Sequence, residues 1–308
     1  MNKNITNIGR LTISVLLVIG LIYIVGLEKI ISTISKFNIF FIPIVFFLMF
    51  VTLALSGFNL KLLFNAKSQI KNKEFFKDFC SSWATGFIVP GKIGEFYLGY
   101  LLRKKLSIAS SSAIILLDKL ITLLIISILG ILSLILFLEQ EIAILMSGFL
   151  LLLWIIGLLA LFLPTWRQLI LTKIIPKKYA QSFTGFFDTL KYFLKFEKKR
   201  IFLNFLLTLV KIALQGYTFV IIFEGLGVQS QLFEIILITS AVTILSFIPI
   251  TSGGIGLKEG AFAFLALKIG LPIDAAVSNT LISTVINYII VGLLAIIFLD
   301  RNIKNKLK

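Results

Sequence analysis

Phe247-Ile248-Pro249-Ile250-Thr251-Ser252-Gly253-Gly254-Ile255-Gly256-Leu257-Lys258-Glu259 interrupts apolar sequence with a proline, three glycines and two opposite charges. An earlier stretch, Phe87-Ile88-Val89-Pro90-Gly91-Lys92-Ile93-Gly94-Glu95, does the same in shorter form. Helix breakers and charges are costly in hydrocarbon, so their joint appearance twice in one chain points to a site. The fold therefore turns on where these two breaks sit.

The surrounding sequence is that of a membrane protein. Of the 308 residues 58% are hydrophobic and 14% charged, with mean hydropathy +1.05, well outside the composition of soluble domains. Full spans read at about 11–27, 39–57, 111–138, 142–163, 201–223 and 274–299, each near the ~20 residues a bilayer requires. The first run follows Lys3 and Arg10 but ends in Leu27-Glu28-Lys29 with no small-residue cleavage site, so it is expected to stay as a helix.

Composition also excludes chemistry. There is no histidine and one cysteine, Cys80, which removes an intrachain disulfide, a zinc cluster and the commonest general base. No Gly-x-x-x-x-Gly-Lys-Ser/Thr loop is present for nucleotide hydrolysis. No cofactor and no metal are expected. The net charge of +16 lies between the apolar runs, where it orients helices and meets anionic lipid rather than nucleic acid.

Residues 61–78 carry five lysines against Glu74 and Asp78, and residues 165–200 carry nine basic residues against Asp188 and Glu197. The turns at Glu139/Glu141 and Glu224/Glu234 are acidic. By the positive-inside rule the two basic loops and both termini are cytoplasmic in a multi-pass plasma-membrane protein. That parity holds only if 79–103 is a re-entrant hairpin with arms 79–89 and 92–103, opening to the cytoplasm. Residues 232–271 form its counterpart from outside.

The expected fold is thus an all-α polytopic membrane protein of eight hydrophobic segments in a single domain, 1–308. Six full spans and two opposed hairpins form an inverted repeat with halves at about 1–138 and 142–300. Pro90 and Pro249 are 159 residues apart, and Glu95 and Glu259 are 164 apart. Inverted repeats with broken helices characterise alternating-access transporters. Residues 183–194 read as an amphipathic helix, with Phe183, Phe186, Phe187, Leu190, Phe193 and Leu194 on one face. It either lies on the inner leaflet or packs as a connector. Trp83, Trp154 and Trp166 fit interfacial belts.

At each break, a helix starting within the membrane offers unpaired N–H groups and a positive dipole end. Pro90, Gly91 and Gly94, with Gly253, Gly254 and Gly256, bare the backbone to a ligand, and Lys92 and Lys258 add charge. A phosphate suits such a place. Glu95 and Glu259 either pair with a lysine or cap the helix, or else bind an ammonium or a coupling proton. Asp118 and Lys119 complete the site or rest at the headgroup level. Asn287 is a further polar residue of the last span.

Pro-Gly-Lys-Ile-Gly-Glu at 90–95, Leu-Leu-Asp-Lys-Leu at 116–120 and Pro-x-x-x-Gly-Gly-Ile-Gly-x-Lys-Glu-Gly at 249–260 resemble the lysylphosphatidylglycerol synthase transmembrane-region family. The resemblance covers nearly the whole chain and implies its flippase-like membrane half, without the soluble lysyltransferase. It implies translocation of an anionic or amino-modified phospholipid or a polyprenyl-phosphate lipid, no catalysis, and membrane lipids as partners. A separate lipid-modifying transferase is a further partner of that kind. Relatives often carry arginine where this chain has Leu98, Lys119 and Lys258; lysine keeps the charge but not the bidentate fork. A secondary transporter of a small anion, or an accessory lipid-presenting subunit, is the other class of reading.

Overall fold

The computed structural model describes residues 3–88, 95–163, 185–245, 251 and 254–298, and these are helical with no strand. In lipid each backbone N–H and C=O must find a partner inside its own segment, and a helix does this for a continuous apolar run. The helices are α1 (Lys3–Val25), α2 (Leu27–Ser35), α3 (Ile42–Phe64), α4 (Asn72–Ile88), α5 (Tyr97–Leu101), α6 (Ile108–Phe137) and α7 (Gln140–Phe162). They continue as α8 (Phe186–Phe196), α9 (Lys198–Gly225), α10 (Leu232–Leu245), α11 (Leu257–Lys268) and α12 (Ile273–Phe298).

Five helical stretches are long and apolar enough to cross a bilayer: Ile39–Phe64, Ile108–Phe137, Gln140–Leu159, Lys198–Gly225 and Ile273–Phe298. They coincide with five of the six expected spans. The remaining one is not a straight span of its own. Gly26, at φ +90°, turns the chain by 82° between α1 and α2, so the first run counts as a sixth crossing only as a bent pair.

Local chemistry sets the ends. Ser107 accepts from the Ser110 N–H at 3.2 Å and starts α6, eleven residues ahead of Asp118. Asn38 accepts from Phe40 N–H at 3.1 Å and opens a single 3-10 turn, and Pro43 sits in the first turn of α3, where its missing N–H costs nothing.

Contacts between chain ends define two poles. At one, Arg200 Nη1 donates to Leu62 O (2.9 Å), Ser68 Oγ to Lys105 O (3.4 Å), and Lys105 pairs with Glu74 at 3.8 Å. At the other, Asn38 N–H donates to Gly225 O (2.8 Å) and Thr33 Oγ1 to Asp274 Oδ2 (2.6 Å). α3 and α9 run between the poles.

The core is packed around α3, α6 and α9. α10 fits closely because small residues let backbones approach: a methyl group at Gly130 of α6 would lie 2.7 Å from Ile244, and one at Gly216 of α9 would lie 2.5 Å from Ile236. α7 leans on α6 and exposes most of its apolar side chains, as a lipid-facing helix does. Trp154, expected in an interfacial belt, lies within α7 and donates to Ser127 of α6 at 3.0 Å, so it ties two spans together.

α8 decides between the two readings of residues 183–194, of which 183 and 184 lie outside the described residues. Thr189, Leu190 and Phe193 are buried against α6 and α9, and Ser110 and Thr189 share a hydrogen bond at 3.0 Å. Leu194 and Phe196 stay exposed. The helix is a packed connector with an apolar edge left over.

Candidate functional site

Among the described residues, a group of interior polar side chains stands at each break. In the first, Lys119 pairs with Glu95, and its Nζ lies 3.9 Å from Asp118 Oδ2. Asp118 is 5% exposed, and its Oδ1 accepts from Asn204 Nδ2 at 2.9 Å. Asn204 also donates to Asn59 O at 3.4 Å, while Asn59 Nδ2 donates to Thr208 Oγ1 at 2.8 Å. Three helices and the end of the first break therefore converge on one carboxylate–ammonium set.

Depth follows from the helix ends. Asp118 stands ten residues into α6, or about 15 Å along its axis. Glu95 takes Lys119, from a helix distant in sequence, as its counter-ion. Ser82 fixes the segment that carries it, accepting from Leu98 N–H (3.0 Å) and donating to Glu95 O (2.8 Å).

In the second group Glu259, 4% exposed, turns back on its own helix start. Its Oε2 accepts the Gly256 N–H at 2.7 Å, and Thr284 Oγ1 of α12 approaches Oε1 at 3.5 Å. A carboxylate in the first turn of α11 satisfies an orphan donor and faces the positive end of the helix. Of its expected roles, capping is seen in the described contacts.

The glycines of the second break differ from expectation. Gly254 (φ +80°) and Gly256 (φ +82°) have backbone that other residues rarely adopt. Their bare faces are covered by protein, however. A methyl group at Gly256 would stand 2.6 Å from Leu17 Cβ and 3.0 Å from Ser14 O of α1, and one at Gly254 would strike the stem of Lys258 at 2.7 Å. Here the absent side chains make room for α1 and for Lys258. Pro90, Gly91, Lys92, Gly94 and Gly253 lie outside the described residues.

Leu98, where relatives often carry arginine, is buried at 1% exposure. Asn287 is half-buried and belongs to neither group.

Sequence reading missed Asn59, Asn204 and above all Lys211. Lys211 lies thirteen residues after the start of α9 and fourteen before its end, at the centre of a span. The charges acting on it are Asp118, Lys119 and Glu95. The signal was present, since Asn204, Thr208, Lys211, Gln215 and Thr218 recur every three or four residues and mark one face of a helix. It passed unnoticed because the span was judged by its overall hydropathy.

Neither a curated protein nor a solved structure matches the chain. A match does come from a family model, and it runs from residue 7 to residue 295, taking in both breaks and the spans that carry their partners. The chain is therefore a member of the family described as the lysylphosphatidylglycerol synthase TM region.

Proposed function

We propose that this protein is a flippase-like domain that passes the headgroup of an anionic or amino-modified phospholipid, or of a polyprenyl-phosphate lipid, across the plasma membrane while the tails stay in lipid. The observation that carries this reading is the Glu95–Lys119–Asp118 set, in which a buried acid ten residues into α6 and a half-buried lysine meet the carboxylate at the end of a helix break. Charges there cost several kcal/mol unless paired, and in membrane proteins they mark ion and substrate paths.

The two poles support the opposed-hairpin reading. Both ends of the 72–107 segment meet at the pole of Ser68, Glu74 and Lys105. Gly225, before α10, and Asp274, after α11, are both tied to residues 33–38 at the opposite pole. α10, with 14 residues, and α11, with 12, span only about 20 Å each, short of the ~30 Å of hydrocarbon. Each broken segment then enters and leaves from its own side, as an inverted repeat requires. The pole of the basic loops is cytoplasmic on this reading, with both termini on that side.

The protein acts without catalysis, and a separate transferase supplies or modifies the lipid. A headgroup-accessibility assay in proteoliposomes tests the reading. The wild type translocates labelled lipid, and the double variant Glu95→Ala, Glu259→Ala does not; equal rates would remove the proposed site.

A further inference from the structure

We propose that Lys211 is the anion-binding residue of the first polar group, and that the phosphate of a headgroup, as mono- or diester, seats against its ammonium. The inference deepens the flippase-like reading and rests on it for the lipid source of that phosphate.

Lys119 and Lys211 share one neighbourhood but differ in their partners. Lys119 is engaged by Glu95 and faces Asp118, whose other oxygen is taken by Asn204. Lys211 stands one turn beyond Thr208 on the α9 face through which Asn204 reaches Asp118, yet among the described residues no ion pair or hydrogen bond engages its ammonium. A half-buried ammonium at the centre of a span has three donors and needs an acceptor. The protein directs its carboxylates elsewhere.

The rest of the α9 face shows which way the place is closed. Thr208 and Asn204, one and two turns from Lys211 toward the basic pole, are fully buried and bonded to Asn59 and Asp118. Lys211 and Gln215 are half-buried. The stripe is thus sealed at Asn204 and Thr208, looser at Lys211 and Gln215, and closed again at Thr218. Asn59 Oδ1 and Asn204 Oδ1 are buried acceptors without a hydrogen bond, so the seal is incompletely satisfied and able to exchange partners. A phosphate offers Lys211 the charged acceptor that the fold withholds.

The test is thermal unfolding of the full chain in detergent, titrated with dioctanoyl phosphatidylglycerol, inorganic phosphate or uncharged dioctanoylglycerol. A compound bound only by the folded protein raises the melting temperature, which gives an apparent Kd. Lys211→Gln is expected to weaken the phosphate-bearing ligand about tenfold or more, the loss of one charge-assisted hydrogen bond. Lys211→Arg should stay within about threefold, because the charge is kept. Lys268→Gln, an exposed lysine elsewhere on the chain, should match the wild type.

Stabilisation by the lipid alone identifies a headgroup, and stabilisation by inorganic phosphate as well identifies free phosphate as sufficient; both support Lys211 when lost in Lys211→Gln. An unchanged Kd in that variant overturns the proposal. So does a wild type stabilised no more by the phosphate compounds than by dioctanoylglycerol. If Lys211→Gln does not fold, amine labelling of the wild type decides: dioctanoyl phosphatidylglycerol must protect Lys211, and no protection overturns the assignment. Binding without translocation would count against the flippase-like reading and leave Lys211 in place.

Discussion

Asn204 of α9 reaches Asp118 of α6 at 2.9 Å, a side-chain bond between residues 86 positions apart that are both buried. It links the span with the central lysine to the span with the central acid, so what disturbs one is felt by the other.

Asn204→Leu removes the donor and leaves one carboxylate oxygen of Asp118 unpaired. The expected loss is about 1.5–3 kcal/mol, the range for a hydrogen bond to a charged group. Thermal unfolding in detergent measures it, and Asn204→Asp should be worse still because it sets a second carboxylate beside the first. A loss below that of an exposed substitution such as Glu74→Gln would show that the bond carries nothing.

Glu95→Gln leaves Lys119 with Asp118 as its only anionic neighbour among the described contacts. Breaking a partly buried pair destabilises more than deleting both charges. The double variant Glu95→Gln, Lys119→Met should therefore recover part of the loss, with a coupling of about 1–2 kcal/mol in a double-mutant cycle. Translocation should remain absent in both. Simple additivity of the two losses would mean that the pair is not formed.

Gly256→Ala meets a positive φ and a full neighbour at once, and should cost about 1–3 kcal/mol. Gly260, four residues on in the same helix, has nothing within 4 Å of an added methyl group, so Gly260→Ala should be neutral or stabilise by up to about 1 kcal/mol. Comparing the two melting temperatures separates the packing of α1 from a general effect of glycine. Equal effects would refute the close contact with Leu17.

Cysteines placed at Lys105 and Lys268, in a chain whose own Cys80 is replaced, should react with an impermeant maleimide from opposite sides of the membrane. Lys105 lies at the pole of the basic loop, and Lys268 ends α11 near the pole of Asp274. Reaction of both from one side would collapse the opposed hairpins into an ordinary pair of spans.

Much of this was legible in the sequence. The apolar runs located five crossings to within a few residues, except that α3 continues to Phe64, well past the expected end. There Lys61 is 7% exposed, its ammonium 6.0 Å above the ring of Phe75. The motif at 116–120 singles out Asp118 and Lys119 because it carries charges inside an apolar run, and the structure brings the two together with Glu95 and Asn204. What escaped was pairing. Nothing local tells Glu95 to choose Lys119 or tells Asp118 to choose Asn204, since such choices are made by helix crossings. The bend at Gly26 escaped for a related reason: a lone glycine in apolar sequence is compatible with a straight helix, and tertiary contacts determine its φ.

The polar face of α9 bears on how the chain is made. With a lysine, an asparagine and a glutamine inside it, α9 is the least apolar of the five spans, and such a segment partitions poorly from the translocation machinery into lipid by itself. Its partners Asn59 and Asp118 both come earlier in the chain. During synthesis from the N-terminus the receiving surface is thus already in the bilayer when Lys211 emerges, and the order of the sequence serves as an assembly schedule.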